Sequence, residues 1–175
     1  SRRAVASVLR HAFLGDDLVQ YIRLPLNTDF AVASDVGARI ARSRNVVFLN
    51  NDTVVQEGWL PPLIDALSEA AAAQPLLLFA DRTVQSAGTV FAGGLASPRH
   101  LLAGFHRQDV PEEVGRHESL ALTAACLAVT RAAHLNAGGF ASAYANVLED
   151  VDFRLRLQRP TGRAAGGVPE VGDGD

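Results

Sequence analysis

The segment that most constrains the fold reads V-V-F-L-N-N-D-T and occupies residues 46–53. Its first four residues form a short, uninterrupted apolar run, which is typical of a β-strand covered on both faces. Three polar residues, Asn50, Asn51 and Asp52, follow that run directly. In open α/β sheets, ligands bind beyond the carboxyl ends of the strands. The segment therefore predicts a buried strand whose end carries a candidate ligand site.

Helix-like and strand-like patterns alternate on both sides of this segment. Helical spacing of apolar residues is found at 4–13, 33–41, 60–71 and 151–157, and strand-like runs at 18–24, 76–79, 83–91 and 120–129. Such alternation predicts an α/β fold with a mostly parallel sheet flanked by helices. No linker divides the pattern, so we expect one domain over residues 1–158. The Gly- and Pro-rich stretch 159–175 has almost no large apolar side chains, and we expect it to be disordered.

Composition excludes several classes of protein. The 175 residues are 48% hydrophobic and 20% charged, which suits a packed globular core, and the net charge of -3 offers no basic field to nucleic acid. No apolar run is long enough to span a bilayer. The single cysteine, Cys126, excludes an internal disulfide, fits a reducing compartment and reads as a buried thiol. Because the chain contains no methionine, we expect it to be a fragment or a processed form.

The Asn-Asn-Asp sequence can be interpreted in two ways. A carboxylate at the tip of a buried strand can bind a hard divalent cation, because Mg²⁺ and Mn²⁺ are held by one or two carboxylates together with substrate phosphates. The amide oxygen of Asn50 could serve as a neutral ligand. Alternatively, the three residues only form a turn that ends the strand, since Asn and Asp favour turns through local hydrogen bonds. Spacing alone leaves both interpretations open.

A second acidic motif, E-D-V-D, occupies residues 149–152. Three carboxylates in four residues repel one another, which favours a protonated form and could provide a general base. Alternatively, the motif is the acidic N-terminus of a helix, where negative charge meets the helix dipole favourably. The remaining histidines considered, His100, His106 and His117, lack the spacing of a metal site and read as surface residues.

Taken together, ordered motifs across most of the chain resemble the family 2 glycosyltransferases, particularly their rhamnosyltransferase-like bacterial branch. The stretch 27–37 (NTDFAVASDVG) resembles the pattern N-x-G-F-A-x-A-x-N-x-G. Residues 47–60 resemble L-N-N-D-T-x-V followed by G-W-L, and residues 81–88 resemble D-G-T-V-Q-x-A-G. The later stretches 123–129, 138–140 and 149–157 resemble T-G-A-C-L-A-V, G-G-F and E-D-V-D-x-x-L-R-L.

The resemblance implies a GT-A fold and a metal-assisted, inverting sugar transfer. The family's D-x-D metal motif falls on residues 50–52, so Asp52 is the expected ligand of Mg²⁺ or Mn²⁺. The donor site would include Asn27, Asn50, Asn51 and Asp52. The catalytic base would be Asp150, with Glu149 as the second choice.

The expected partners are a nucleotide-sugar donor and a saccharide or lipid-linked saccharide acceptor. The expected setting is cell-envelope polysaccharide biosynthesis, in the cytoplasm or at the inner face of the membrane.

The chain also departs from the family's pattern. Asp29 and Ala124 stand where glycine is usual, and Ser34-Asp35 replace a common Arg-Asn. The family's first strand, which seats the nucleobase, and a later histidine that often completes the metal site have no counterpart. We therefore expect a partial catalytic domain that lacks the first nucleotide-binding strand. The alternative function is a non-catalytic remnant that binds sugar nucleotides weakly or not at all. A sugar-nucleotide pyrophosphorylase is more distant, because the glycine-rich phosphate loop of that class is missing.

Overall fold

The computed structural model describes residues 19–26, 28–91, 98–111, 114, 117–144 and 149–157. The described helices are α1 (Phe30–Ile40), α2 (Leu60–Asp65), α3 (Arg131–Asn136) and α4 (Glu149–Leu157). The strands are β1 (Asn45–Leu49), β2 (Ala72–Ala73), β3 (Leu77–Leu78), β4 (Val84–Ser86), β5 (Thr89–Phe91), β6 (Pro98–His100) and β7 (Cys126–Thr130). The sequence-based expectations for residues 4–13, Asn27 and 159–175 lie outside the described residues.

The sheet that carries the candidate site has the order β1-β7-β2, and β7 runs antiparallel to both neighbours. The prediction of a mostly parallel sheet is therefore wrong for the described part of the chain, where every paired strand is antiparallel. Parallel neighbours require a crossover connection, usually a helix. Here the chain between β2 and β7 instead forms short antiparallel pairs, β3 with β4 and β5 with β6, and then re-enters the sheet at the end where β2 left it.

Helices cover both faces of this sheet, as expected for an α/β fold. The side chains of β7 alternate between two buried clusters. Leu127 and Val129 join the cluster that includes α1, Phe140 and α4. Cys126 and Ala128 join the other cluster, which contains Leu63 of α2. This alternation is the period of two that a strand imposes on its side chains, and it gives β7 a core on each face.

The turn between β3 and β4 holds an unusual backbone conformation. Arg82 has a φ of 63°, in the left-handed region that glycine adopts most easily. In the sequence resemblance, Arg82 stands where the pattern D-G-T-V-Q has its glycine. The carboxylate of Asp81 secures the turn by accepting from the backbone N–H of Thr83 at 2.9 Å and from its hydroxyl at 2.6 Å.

Several element boundaries differ from the sequence-based predictions. Residues 19–24 form no strand, although a strand was predicted over 18–24. The helix predicted to extend to residue 71 ends at Asp65 and continues as a short 3₁₀ turn, because the chain must reverse to enter β2. The strand predicted over 120–129 begins only at Cys126. The helix α3 was not predicted.

A groove runs along β1, between that strand and α1, with a cavity volume of ≈ 780 Å³. It is lined by every residue of β1, from Asn45 to Leu49. Because neighbouring side chains of a strand point to opposite faces, a groove that touches all five residues follows the edge of the strand. Within the described residues, β1 pairs on one side only, with β7.

Candidate functional site

The Asn-Asn-Asp segment forms a turn at the carboxyl end of β1. The backbone N–H of Asn50 donates to the carbonyl of Ala125 at 2.9 Å, which extends the contact with β7 by one residue. The chain then reverses, and the N–H of Thr53 donates to the carbonyl of Asn50 at 3.2 Å. The side chains of Asn51 and Asp52 are exposed. The turn therefore presents one carboxylate, that of Asp52, to solvent.

The second acidic motif begins α4 at the same end of the sheet. One carboxylate oxygen of Asp150, Oδ2, accepts from the backbone N–H of Ala124 at 3.2 Å, and Oδ1 accepts from the N–H of Val151 at 2.8 Å. Glu149 is half-buried, and its Oε2 atom is buried with no hydrogen-bond partner among the described residues. Asp150 is thus the oriented carboxylate of the pair.

Three consecutive residues, 123–125, bring the two motifs together. Ala125 accepts from Asn50, and the preceding residue, Ala124, donates to Asp150. The end of β1 and the start of α4 are therefore held by adjacent residues of the segment that leads into β7. No hydrogen bond joins the two motifs directly among the described residues, so residues 123–125 are the structural link between them.

The third carboxylate of the acidic motif does not join this arrangement. Oδ2 of Asp152 accepts from the Nε–H of Arg156, one helical turn later, at 2.8 Å. Nη2 of Arg156 lies 2.7 Å from the same oxygen and completes an ion pair. An acid four residues before a base is a favourable pairing on a helix. The prediction of three mutually repelling carboxylates is therefore wrong for Asp152, because the charge of Arg156 offsets it.

The residues that replace the family's usual ones have structural roles. The side chain of Asp29 caps α1 by accepting from the N–H of Val32 at 3.0 Å. The Oδ1 atom of Asp35 receives hydrogen bonds from the Nε2–H of His134 at 2.9 Å and from the N–H of Phe140 at 3.0 Å. The backbone N–H of Ala124 donates a hydrogen bond to the carboxylate of Asp150. Asp29, Asp35 and Ala124 do not have the positive φ that would favour glycine.

His134 was not selected from the sequence, yet it lies at the centre of an aromatic cluster. Its ring is 1% exposed and packs against the rings of Phe48, Phe140 and Phe153 at centroid distances of 5.0, 5.4 and 5.0 Å. Burial lowers the pKa of His134, although the neighbouring Asp35 carboxylate favours the charged form. An ionised carboxylate only accepts, so Nε2 carries the proton of the neutral ring. Protonation would add a proton to Nδ1, which is buried and has no partner among the described residues.

The described residues contain no group of three or more His, Cys, Asp or Glu side chains arranged to hold a metal ion. A site for Mg²⁺ or Mn²⁺ does not need such a group, because one or two carboxylates can suffice when substrate phosphates complete the coordination. Asp52 meets this requirement, since its carboxylate is exposed at the end of a strand. The carboxylate of Asp52 thus fits a cation that binds together with a phosphorylated ligand.

The other sequence candidates include Cys126, which pairs with Leu49 at the end of β1. Burial raises the pKa of the Cys126 thiol to about 11, consistent with a structural residue. Asn27 lies outside the described residues. No helix in the described part of the chain is long and apolar enough to cross a membrane.

Residues 1–87 match the family model described as glycosyl transferase family 2. The matched part includes α1, β1, the Asn50–Asp52 turn and α2, and it ends before residues 123–125 and α4. No curated protein matches the chain. The match supports the resemblance to family 2 glycosyltransferases and, at that level, a transferase activity.

Proposed function

Because residues 1–87 match glycosyl transferase family 2, we propose that the chain acts as an inverting glycosyltransferase of the rhamnosyltransferase-like type. It would transfer a sugar from a nucleotide-sugar donor to a hydroxyl of a saccharide or lipid-linked saccharide acceptor. The observation that carries the proposal is the attachment of Asn50 and Asp150 to adjacent residues, Ala125 and Ala124. A transferase needs its donor site and its base close together, since proximity removes much of the entropic cost of reaction.

In this proposal Asp150 is the general base. Its carboxylate removes the proton from the acceptor hydroxyl, whose oxygen forms a bond to the anomeric carbon of the donor. The bond between that carbon and the diphosphate oxygen breaks, and the nucleoside diphosphate leaves with the electron pair. The hydrogen bonds from Ala124 and Val151 fix the orientation of the carboxylate before the acceptor arrives. Glu149 is the second candidate for this role.

We assign the donor diphosphate to the turn after β1. Asn50 and Asn51 offer neutral amide groups there, and Asp52 would hold Mg²⁺ or Mn²⁺. A bound cation would supply charge neutralisation for the departing diphosphate. Since one carboxylate binds such a cation weakly alone, the metal and the nucleoside diphosphate should each strengthen the binding of the other. Asn27 is the further proposed contact of the donor.

The test is titration calorimetry of the chain with uridine, thymidine and guanosine diphosphates, with and without MnCl₂. We expect at least one nucleotide to bind in a manganese-dependent way. Asp52→Ala should abolish the manganese effect. Asn51→Ala is the matched control, because it changes the neighbouring exposed residue of the same turn and should keep the effect.

Two outcomes would contradict the proposal. Equal nucleotide affinity with and without manganese would contradict the assignment of Asp52 as a metal ligand. Failure of all three nucleotides to bind would favour the alternative, a non-catalytic remnant of such an enzyme. The cytoplasmic location, at the inner face of the membrane, stays a prediction that fractionation of the parent cells would test.

A further inference from the structure

Gln74 is a buried polar residue that joins three separate segments of the chain. It follows β2 directly, its side chain is 0% exposed, and its amide group lies between β4 and the segment that precedes β7. The Oε1 atom accepts from the backbone N–H of Thr123 at 2.7 Å, and Nε2 donates to the hydroxyl of Ser86 at 3.4 Å. The bond to Thr123 is therefore the shorter and stronger of the two.

The partner of Gln74 is the residue next to those that hold the proposed site. Residues 123, 124 and 125 contact Gln74, Asp150 and Asn50 in that order, through one backbone group each. These residues lie outside the strand β7, so the regular hydrogen bonds of the sheet do not fix them. Of the three residues that hydrogen-bond to residues 123–125, Asn50 and Asp150 belong to the proposed site itself. Gln74 supplies the hydrogen bond that comes from the core, beside the apolar packing of Ala124 and Ala125.

The backbone of Gln74 is well suited to this role. Ala73, immediately before it, is completely buried and pairs with Ala128 of β7. Pro75, immediately after it, restricts Gln74 to an extended conformation. The amide group is therefore anchored on both sides along the chain, and its position is fixed relative to the central strand of the sheet.

We propose that Gln74 is a positioning residue, which holds residues 123–125 so that Ala124 keeps its hydrogen bond to the carboxylate of Asp150. The inference rests on the proposed function for the role of Asp150 as base. Gln74 would touch neither substrate nor cofactor, and it would act only through the N–H of Thr123. Its loss should therefore loosen a short segment while leaving β7 paired.

The experiment is nuclear magnetic resonance on the full chain carrying Gln74→Met, which keeps the length of the side chain and removes its polar atoms. Amide hydrogen exchange at Thr123 and Ala124 should accelerate by about 5- to 30-fold relative to Ala128 and Val129, as expected for one lost buried hydrogen bond. The matched control is Ser86→Ala, which removes the other contact of Gln74 and should leave exchange at Thr123 nearly unchanged.

A second readout follows the hydrogen bond between Ala124 and Asp150 itself. In the unmodified chain, the amide resonance of Ala124 should shift as the Asp150 carboxylate is titrated with acid, and Asp150→Asn should abolish that shift. Gln74→Met should reduce or remove the shift. Gln74→Glu keeps an acceptor oxygen for Thr123, so this variant should show part of the Ala124 shift that Gln74→Met loses.

The two readouts distinguish positioning from general support of the fold. If Gln74→Met accelerates exchange equally at Thr123 and in β7, or if the Ala124 shift survives unchanged, the proposal is wrong. Neither readout uses a nucleotide or an enzymatic activity. Failure of nucleotide binding would therefore contradict the proposed function alone, whereas failure here would contradict only the role of Gln74.

Discussion

Gly139 provides the sharpest test of the packing beneath the proposed site. A Cβ atom added at Gly139 would lie 2.6 Å from Cγ of Asp35 and closer still to its Oδ2, whereas the neighbouring Gly138 has only Arg156 nearby, with Nη1 at 3.7 Å. Both glycines have positive φ values, of 74° for Gly139 and 82° for Gly138. The pair therefore offers the same backbone conformation with and without a steric clash.

The two alanine variants should differ by the cost of moving Asp35. Left-handed backbone costs a non-glycine residue roughly 1–2 kcal/mol, and both variants should lose about that much stability. Gly139→Ala must also displace a carboxylate that accepts from His134 and Phe140. Loss of hydrogen bonds to a charged group costs about 1.5–3 kcal/mol, so the total for Gly139→Ala should be about 2.5–5 kcal/mol.

Urea unfolding followed by the fluorescence of Trp59, the single tryptophan, measures both variants. The free energy of unfolding should fall by about 1.5–3 kcal/mol more for Gly139→Ala than for Gly138→Ala. In an Asp35→Ala background the clash disappears, and the additional cost of Gly139→Ala should disappear with it. Equal losses for the two glycine variants, or an additional cost that persists without Asp35, would refute this account of the contact.

Three further predictions concern individual side chains. If the proposed transfer takes place, Asp150→Asn should lower its turnover by about 10²–10⁴-fold, roughly 3–5 kcal/mol of barrier. Asp152→Asn should matter less because Asp152 is paired with Arg156, and the reverse order in a steady-state assay would reassign the base. Because the folded pKa of His134 lies below its unfolded value of about 6.5, the unfolded chain binds the proton more readily, and stability should fall as pH drops below about 6.5. His134→Gln should weaken this dependence of the urea midpoint, and an unchanged dependence would exclude His134 as its source. Cys126, with its raised pKa and 1% exposure, should react with iodoacetamide only as urea unfolds the chain; rapid labelling of the folded chain would contradict its burial.

Local sequence patterns predicted the elements that carry the candidate site. The apolar run of β1 and its Asn-Asn-Asp turn follow from side-chain type and order alone, as does the acidic start of α4. The same patterns could not predict the direction of β7, because it depends on the route that the chain takes after β2. The patterns also predicted a strand over residues 18–24, but the described residues 19–24 do not form one.

The contacts that organise the site depend on partners distant in the sequence. Gln74 is adjacent to a proline in an alanine-rich stretch, and nothing local indicates that it reaches Thr123. Asp35 and His134 are equally remote, although each is a polar residue within a helical segment that packs against the core. For Gln74 and for the Asp35–His134 pair, the sequence offered one indication: a polar residue within an otherwise apolar segment. When such a residue is buried, it normally has a hydrogen-bond partner.

The antiparallel pairing of β1 with β7 has a consequence for how the chain folds. Asn45 pairs with Thr130 and Leu49 with Cys126, so each pair closes a loop of about eighty residues. Contacts between such distant residues make folding slow, because loop entropy is lost before the contact stabilises the chain. During synthesis, β1 would leave the ribosome long before its partner exists. The Asn50–Asp52 turn and Asp150 can therefore come together only in a late step of folding, after β7 has inserted between β1 and β2.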